Sequence, residues 1–277
     1  MKLPKPNYVD ADLVENIVAE RQNGINKDFF SGIAADWKAR VAAYVEQAGN
    51  PETVPAWTAI AGHKVKFLTL YDSPGENSVQ RPILAHLRER TMQLCPGCGE
   101  DGTPNTLDHY LPKTAYPHFA VMTANLVPLC DICQLKKGTT MLDQDGQRMF
   151  LHPYFDDFVT GHVVILAIEP PFDAPGFSLA PDPALDGGDA DLLARHLAGL
   201  EIEARYGHYF REQYLRLLKL TKELREKDLS VPQMIAVFQS DAARKAPNSW
   251  LHIFYAAVTA NAALMNFLEN EVLPGYI

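Results

Sequence analysis

The chain has 277 residues, 47% hydrophobic and 21% charged, proportions that exclude a disordered or fibrous protein. A net charge of −9 and a pI of about 5.5 argue against a protein that coats nucleic acid non-specifically; the acidic excess lies mostly in residues 151–277, with 10 basic against 17 acidic side chains. No apolar run approaches the roughly 18 residues of a membrane span, and residues 1–7 lead into no signal core, so the expectation is a cytoplasmic protein with no membrane association.

In chain order, residues 10–22 place Leu13, Val14, Ile17 and Val18 on one helical face, with Asp10 or Asp12 available as cap. Residues 26–47 predict a second helix: Phe29, Phe30, Ile33, Trp37, Val41, Tyr44 and Val45 form its stripe, and Gly49-Asn50-Pro51 stops it. Residues 65–71 are a short apolar piece of undetermined type. Asp72-Ser73-Pro74-Gly75 marks a turn, and residues 78–90 are helical again.

Residues 94–138 hold all four cysteines. Cys95-Pro96-Gly97-Cys98 and Cys130-Asp131-Ile132-Cys133 are two C-x-x-C pairs with 31 residues between them. In a chain expected to stay in a reducing compartment, each pair offers two thiolates from a tight turn. Together they supply the four soft ligands of a tetrahedral Zn2+ with no open position, which makes the metal structural. Between the pairs, Leu107-Asp108-His109-Tyr110-Leu111 is short enough for one strand, whose neighbouring residues point to opposite sides; Asp108 and His109 then need a bend to share a site. A helix begins near Asp131 and carries Gln134 one turn in.

Beyond the centre, residues 163–168 and 177–180 predict a hairpin or two edge strands. A helical pattern runs from 190 to about 227 with a break near Gly199. Its apolar stripe is Tyr206, Phe210, Tyr214, Leu217, Leu220 and Leu224, while Arg205, Arg211, Arg216, Lys219, Lys222, Arg225 and Lys227 fall mostly outside it, as a solvated face or a phosphate-tracking surface. Two helices close the chain, at 232–245, opened by Pro232, and at 250–270, capped by Ser249. The fold class is therefore α+β, mostly helical. Its three parts are a helical region 1–90, a central cysteine module 91–150, and a region 151–277 made of a short β hairpin and helices.

The central stretch resembles the HNH endonucleases, the ββα-metal nucleases, in the subgroup braced by a four-cysteine zinc. The family pattern of a strand with Asp-His, a loop, an Asn, and a helix with a final His or Asn and then Lys falls here on Asp108, His109, Asn125, Gln134 and Lys137, with 16 residues from His109 to Asn125 and 9 from there to Gln134. The resemblance implies a ββα-metal module that hydrolyses phosphodiesters, most directly in DNA, with one divalent ion. His109 would be the general base, Asp108 and Gln134 the ligands of Mg2+ or Mn2+, and Asn125 the residue that aims the base. Lys113, Lys136 and Lys137 are candidates for substrate phosphate, and His118 and His152 for the cleft wall. Gln134 departs from the family's His or Asn; its extra methylene displaces the ligand oxygen by roughly an ångström. A role in restriction or phage (antiviral) defence, with a protein partner on the helical regions, is the corresponding expectation. The competing one is a catalytically degenerate, zinc-stapled protein- or nucleic-acid-binding module.

Overall fold

A computed structural model describes residues 1–102 and 104–277. The fold is α+β and about half helical, with two small antiparallel sheets. Among the described residues no single helix is long and apolar enough to cross a membrane. The chain divides into two compact units, one of Lys2–Gly97 and Gly102–Asp157, the other of Met1, Cys98–Asp101 and Phe158–Ile277. Residues 2–90 belong to the same unit as most of the central stretch.

In the first unit, α1 (Asp10–Glu20) packs on α2 (Lys27–Glu46). The α2 stripe is narrower than expected: Phe30, Trp37, Val41 and Tyr44 are buried, whereas Val45 is 38% exposed. Residues 65–71, ambiguous in sequence, belong to a helix, α3 (Lys64–Asp72), whose Phe67 meets Phe30 and Trp37 edge to face at 5.7 and 5.1 Å. Such pairing favours the three rings beyond the area they bury. Helix α4 (Gln80–Arg88) follows, with Leu84 and Leu87 inward. Asp10 does not cap α1, whose N-cap position is Val9. Its carboxylate instead accepts from the amides of Thr123 at 2.6 Å and Ala124 at 3.1 Å, holding a short turn far along the chain.

Strands β1 (Thr106–His109) and β2 (Leu126–Leu129) pair antiparallel with Asp108 opposite Val127 and His109 opposite Leu126. Helix α5 (Asp131–Lys137) follows β2 at once. The 16-residue connection between the strands holds two short 3-10 turns, Pro117–Phe119 and Thr123–Asn125.

The second unit contains the expected hairpin, β3 (Val164–Glu169) with β4 (Gly176–Pro181). Helices α6 (Gly187–Gly199) and α7 (Ile202–Glu226) are separated near Gly199, and α8 (Val231–Ala242) starts with Ser230 capping Gln233. Leu217, Leu218, Thr221 and Leu224 continue the buried face of α7, so Leu220 lies off it. The final helix expected over 250–270 is two helices, α9 (Trp250–Ala260) and α10 (Ala262–Asn270), bent by 81°. Asn261 makes the corner. It leaves helical conformation, its side chain accepts from Leu264 N at 3.0 Å to cap α10, and its Nδ2 donates to Ile168 O at 3.0 Å.

One residue of the basic face of α7, half-buried Arg225, is tied to another helix. Arg225 donates from Nε to Leu268 O at 2.9 Å, from Nη2 to Phe267 O at 2.8 Å and from Nη1 to Glu271 O at 2.6 Å. It closes the carbonyl end of α10, where a cation also complements the helix dipole. Replacing Arg225 with Ala is expected to destabilise the protein by about 1–3 kcal/mol, read as a lower denaturation midpoint, while Lys219→Ala on the same helix leaves the midpoint unchanged.

Candidate metal centre and ββα site

The four cysteines converge. Their sulfur atoms all lie within 4.8 Å of one another, and a tetrahedral ion with bonds of about 2.3 Å to sulfur spaces its ligands by about 3.8 Å. The cluster can therefore hold a metal such as zinc. Local structure assembles it: Cys130 is the N-cap of α5 and its Sγ accepts from Cys133 N at 3.4 Å, while Cys95 Sγ accepts from Cys130 N at 3.3 Å. Donors of this kind stabilise thiolates. Cys98 Sγ receives the Arg205 guanidinium at 3.5 Å, and the turn after Cys98 is fixed by its carbonyl, which accepts from Trp250 Nε1 at 2.8 Å and from the Tyr206 hydroxyl at 2.5 Å. Gly99 is required there: at φ +77° a Cβ would lie 2.2 Å from Asn248 O.

The second group forms on the strands and α5. Asp108 is 7% exposed and its side chain faces α5. Its carboxylate accepts from the Gln134 side-chain amide and lies 2.9 Å from Lys137 Nζ. Burial raises the Asp108 pKa above the usual carboxylate range, opposed by Lys137 and Gln134. Gln134 and Lys137, three residues apart on α5, share a face. Lys137 is 4% exposed and also donates to His109 O at 2.9 Å, so its ammonium is engaged inside the protein rather than offered to a phosphate. Lys136 is on the exposed side of α5. Lys113 pairs with Asp72 and lies 4.8 Å from the centre of the Tyr71 ring.

Strand alternation holds at Asp108-His109, with regular pairing and no bulge. The His109 ring turns away from α5, packs edge to face on Tyr71 at 4.4 Å, and places Nε2 2.8 Å from Ala120 O. A carbonyl accepts only, so Nε2 carries the proton and donates, and Nδ1 keeps a lone pair. Burial lowers the His109 pKa to about 4, which keeps the ring neutral near pH 7.

The Ala120 carbonyl that aims His109 sits in the loop organised by Asn125. Asn125 is fully buried. Its Oδ1 accepts from Leu111 N at 2.7 Å and from the Tyr44 hydroxyl at 3.0 Å, and its Nδ2 donates to Leu111 O at 3.0 Å and Phe119 O at 3.3 Å. The Tyr44 hydroxyl also lies 3.0 Å from His152 Nε2, and His152 Nδ1 accepts from Tyr154 N at 3.2 Å. The acceptor role of Nδ1 puts the ring proton on Nε2, and one directed chain follows: His152 donates to Tyr44, and Tyr44 to Asn125. Gly49, at φ +66°, lets the chain pass over this pair, since a Cβ would meet the Tyr44 hydroxyl at 2.7 Å.

His152 and His118 therefore lie in the interior and do not line a cleft; they are 0% and 1% exposed. Burial holds the His152 pKa well below normal and lowers that of His118 to about 3. Residues absent from the sequence reading of the site are Tyr44, Tyr71, Asp10 and Arg88, the last with its guanidinium 5.2 Å from the Tyr71 ring centre. Nothing local marks them, because their partners are distant in sequence.

In comparison with known proteins, the chain is similar to the protein ea31 of Escherichia phage lambda, 33% identical over 103 residues that cover 36% of this chain and 35% of that protein. It thus matches about a third of that relative's length. No family model and no solved structure matches it.

Tyr44→Phe removes the link between His152 and Asn125 and leaves a buried N–H without an acceptor. A loss of about 1–3 kcal/mol is expected, measured as a lower urea midpoint at unchanged slope, with metal content unchanged.

Proposed function

We propose that this protein is a metal-dependent endonuclease of the HNH type that hydrolyses phosphodiester bonds in DNA, with the four cysteines holding a structural zinc. One observation carries the reading: a two-stranded ribbon followed at once by a helix brings Asp108 and Gln134 into contact, beside a histidine whose tautomer is fixed and an asparagine that clamps the intervening loop.

The donor types fit a hard divalent ion once the Gln134 amide, whose N–H here meets Asp108, turns its oxygen to the ion. The Asp108 carboxylate and the Gln134 amide oxygen are the oxygen ligands that magnesium or manganese takes. When bound, such an ion offsets charge developing on the phosphate and the leaving 3′ oxygen. His109 is neutral and keeps the Nδ1 lone pair for a proton from the attacking water, while Nε2–H on the Ala120 carbonyl holds the ring at one angle. Asn125 sets that carbonyl's position through the adjacent Phe119. Lys136 and Lys113 remain the candidates for substrate phosphate, joined by Arg88 beside Tyr71. Lys137 is reassigned to positioning, since it ties Asp108 to the end of β1. The expected setting in restriction or phage defence, with a protein partner on the helices, is part of the proposal; the likeness to a phage protein supports a phage-related context.

One observation favours a second reading, a degenerate module that binds without cleaving. A protein ammonium already sits 2.9 Å from the carboxylate that would hold the ion.

Nicking of supercoiled plasmid with magnesium or manganese separates the two. Cleavage is expected in the wild type and is expected to fall about 10²–10⁴-fold in His109→Ala and to vanish in Asp108→Ala, with Gln134→Asn at least as active as wild type. Absence of cleavage with either metal, or cleavage indifferent to His109→Ala, would refute the enzyme reading. Elemental analysis tests the other site: about one zinc per chain, lost together with folding in Cys95→Ser.

A further inference from the structure

Away from the strands and α5, residues 5–8, which lead into α1, and the end of α4 border an open pocket of about 360 Å³. Lys5, His86 and Arg90 are among its lining residues, and no acidic residue is, among the described residues. Arg90 Nη1 donates to the Tyr154 hydroxyl at 3.1 Å, and Lys5 Nζ lies 5.3 Å from the Phe155 ring centre. The acid acting on Lys5 is Asp157, whose carboxyl Lys2 and, more weakly, Lys5 hold below its usual range, and it lies outside the pocket wall. In a chain with 34 acidic and 25 basic residues, such a wall selects an anion.

The charge suggests which anion. An arginine fork and a lysine point charge are a phosphate-binding pair. A phosphomonoester carries nearly two negative charges at neutral pH, so it suits two permanent cations and a histidine better than a singly charged carboxylate does. The remaining wall describes what the phosphate is attached to. Tyr8, 36% exposed, meets His86 edge to face at 6.2 Å and offers π surface to a flat heterocycle. Asn7 adds an amide able to donate and accept at a base edge. A second chamber of about 310 Å³ shares Lys5 and Tyr8 and continues between Val9, Val41 and Val45, giving mostly apolar room beyond the ring; its one acid, Asp10, is held by the amides of Thr123 and Ala124. Each volume lies in the range of small-molecule pockets.

We propose that this cavity binds a nucleoside 5′-monophosphate group, the phosphate on Lys5 and Arg90 and the nucleoside against Tyr8, whether as a free nucleotide or as the 5′-phosphorylated end of a strand. The inference is independent of hydrolysis at His109. Its test is binding in buffer without divalent ions, using thymidine 5′-monophosphate, inorganic phosphate, and one short single-stranded oligonucleotide with either a 5′-phosphate or a 5′-hydroxyl.

Tighter binding of the phosphorylated oligonucleotide by about tenfold or more, equivalent to about 1.4 kcal/mol, identifies a strand end. Binding of the mononucleotide without that preference identifies a free nucleotide. In either case Lys5→Glu and Tyr8→Ala, both at exposed positions, are expected to weaken binding about tenfold with unchanged melting temperature. Three results would overturn the proposal: the two oligonucleotides binding equally with no binding of the mononucleotide, inorganic phosphate binding as tightly as the mononucleotide, or Lys5→Glu leaving affinity unchanged.

Discussion

The side-chain amide of Asn125 is the constraint on which the central module depends. The connection between β1 and β2 is far longer than a hairpin turn and has only two short 3-10 turns of its own. Ordering it requires partners for its backbone groups, and Asn125 supplies them from within: with both lone pairs and both N–H groups engaged, it ties Leu111 to Phe119 and faces no water. A buried carboxamide in this state has one acceptable orientation, because turning the amide over would set donor against donor at Leu111 N. The loop inherits that single geometry, and so does the Ala120 carbonyl on which His109 rests.

Helix α2 is the scaffold that makes the clamp rigid. Trp37 and Tyr44 are seven residues apart on one face, and each reaches the same loop: Trp37 Nε1 donates to His118 O at 2.8 Å, and Tyr44 to Asn125. Asp10 on α1 adds a third point, at Thr123 and Ala124. The helices before the cysteines therefore do more than bury apolar surface. Their polar atoms fix where the loop runs, which is why these helices and the strands form one unit.

This division explains what was legible in the sequence. Features encoded locally could be read: the paired C-x-x-C turns, the start of α5 at Asp131, the β3–β4 hairpin, and the break near Gly199. Periodicity reports which face of a helix is buried but not what a polar atom on that face meets. Tyr44 was visible as core, yet its hydroxyl finds a partner 81 residues away, and Asp10 one more than 110 away. The corner at Asn261 was hidden for a related reason. Both α9 and α10 bury an apolar face, so the pattern runs through the break, and only the capping asparagine betrays it. The two lysines of α5 were separable in principle, since Lys137 lies three residues from Gln134 and Lys136 only two.

Lys137 also determines how the candidate catalytic carboxylate is to be understood. Asp108 is costly to ionise where it lies, and burial alone would favour the neutral acid. The adjacent ammonium and the Gln134 amide oppose that cost without cancelling it. Removing the lysine would strand a buried charge, a loss of about 3–5 kcal/mol for a pair this enclosed. A divalent ion at Asp108 must therefore share the carboxylate with Lys137 or take its place. Sharing works if the ion binds the second carboxylate oxygen, for Lys137 approaches Oδ2 and its other bond, to the His109 carbonyl, holds it to the strand whether or not a metal is present. The same lysine would preserve the site without metal and lower its affinity for one, so that, on the proposed reading, a metal at Asp108 would need added donors, the Gln134 oxygen and the substrate phosphate itself.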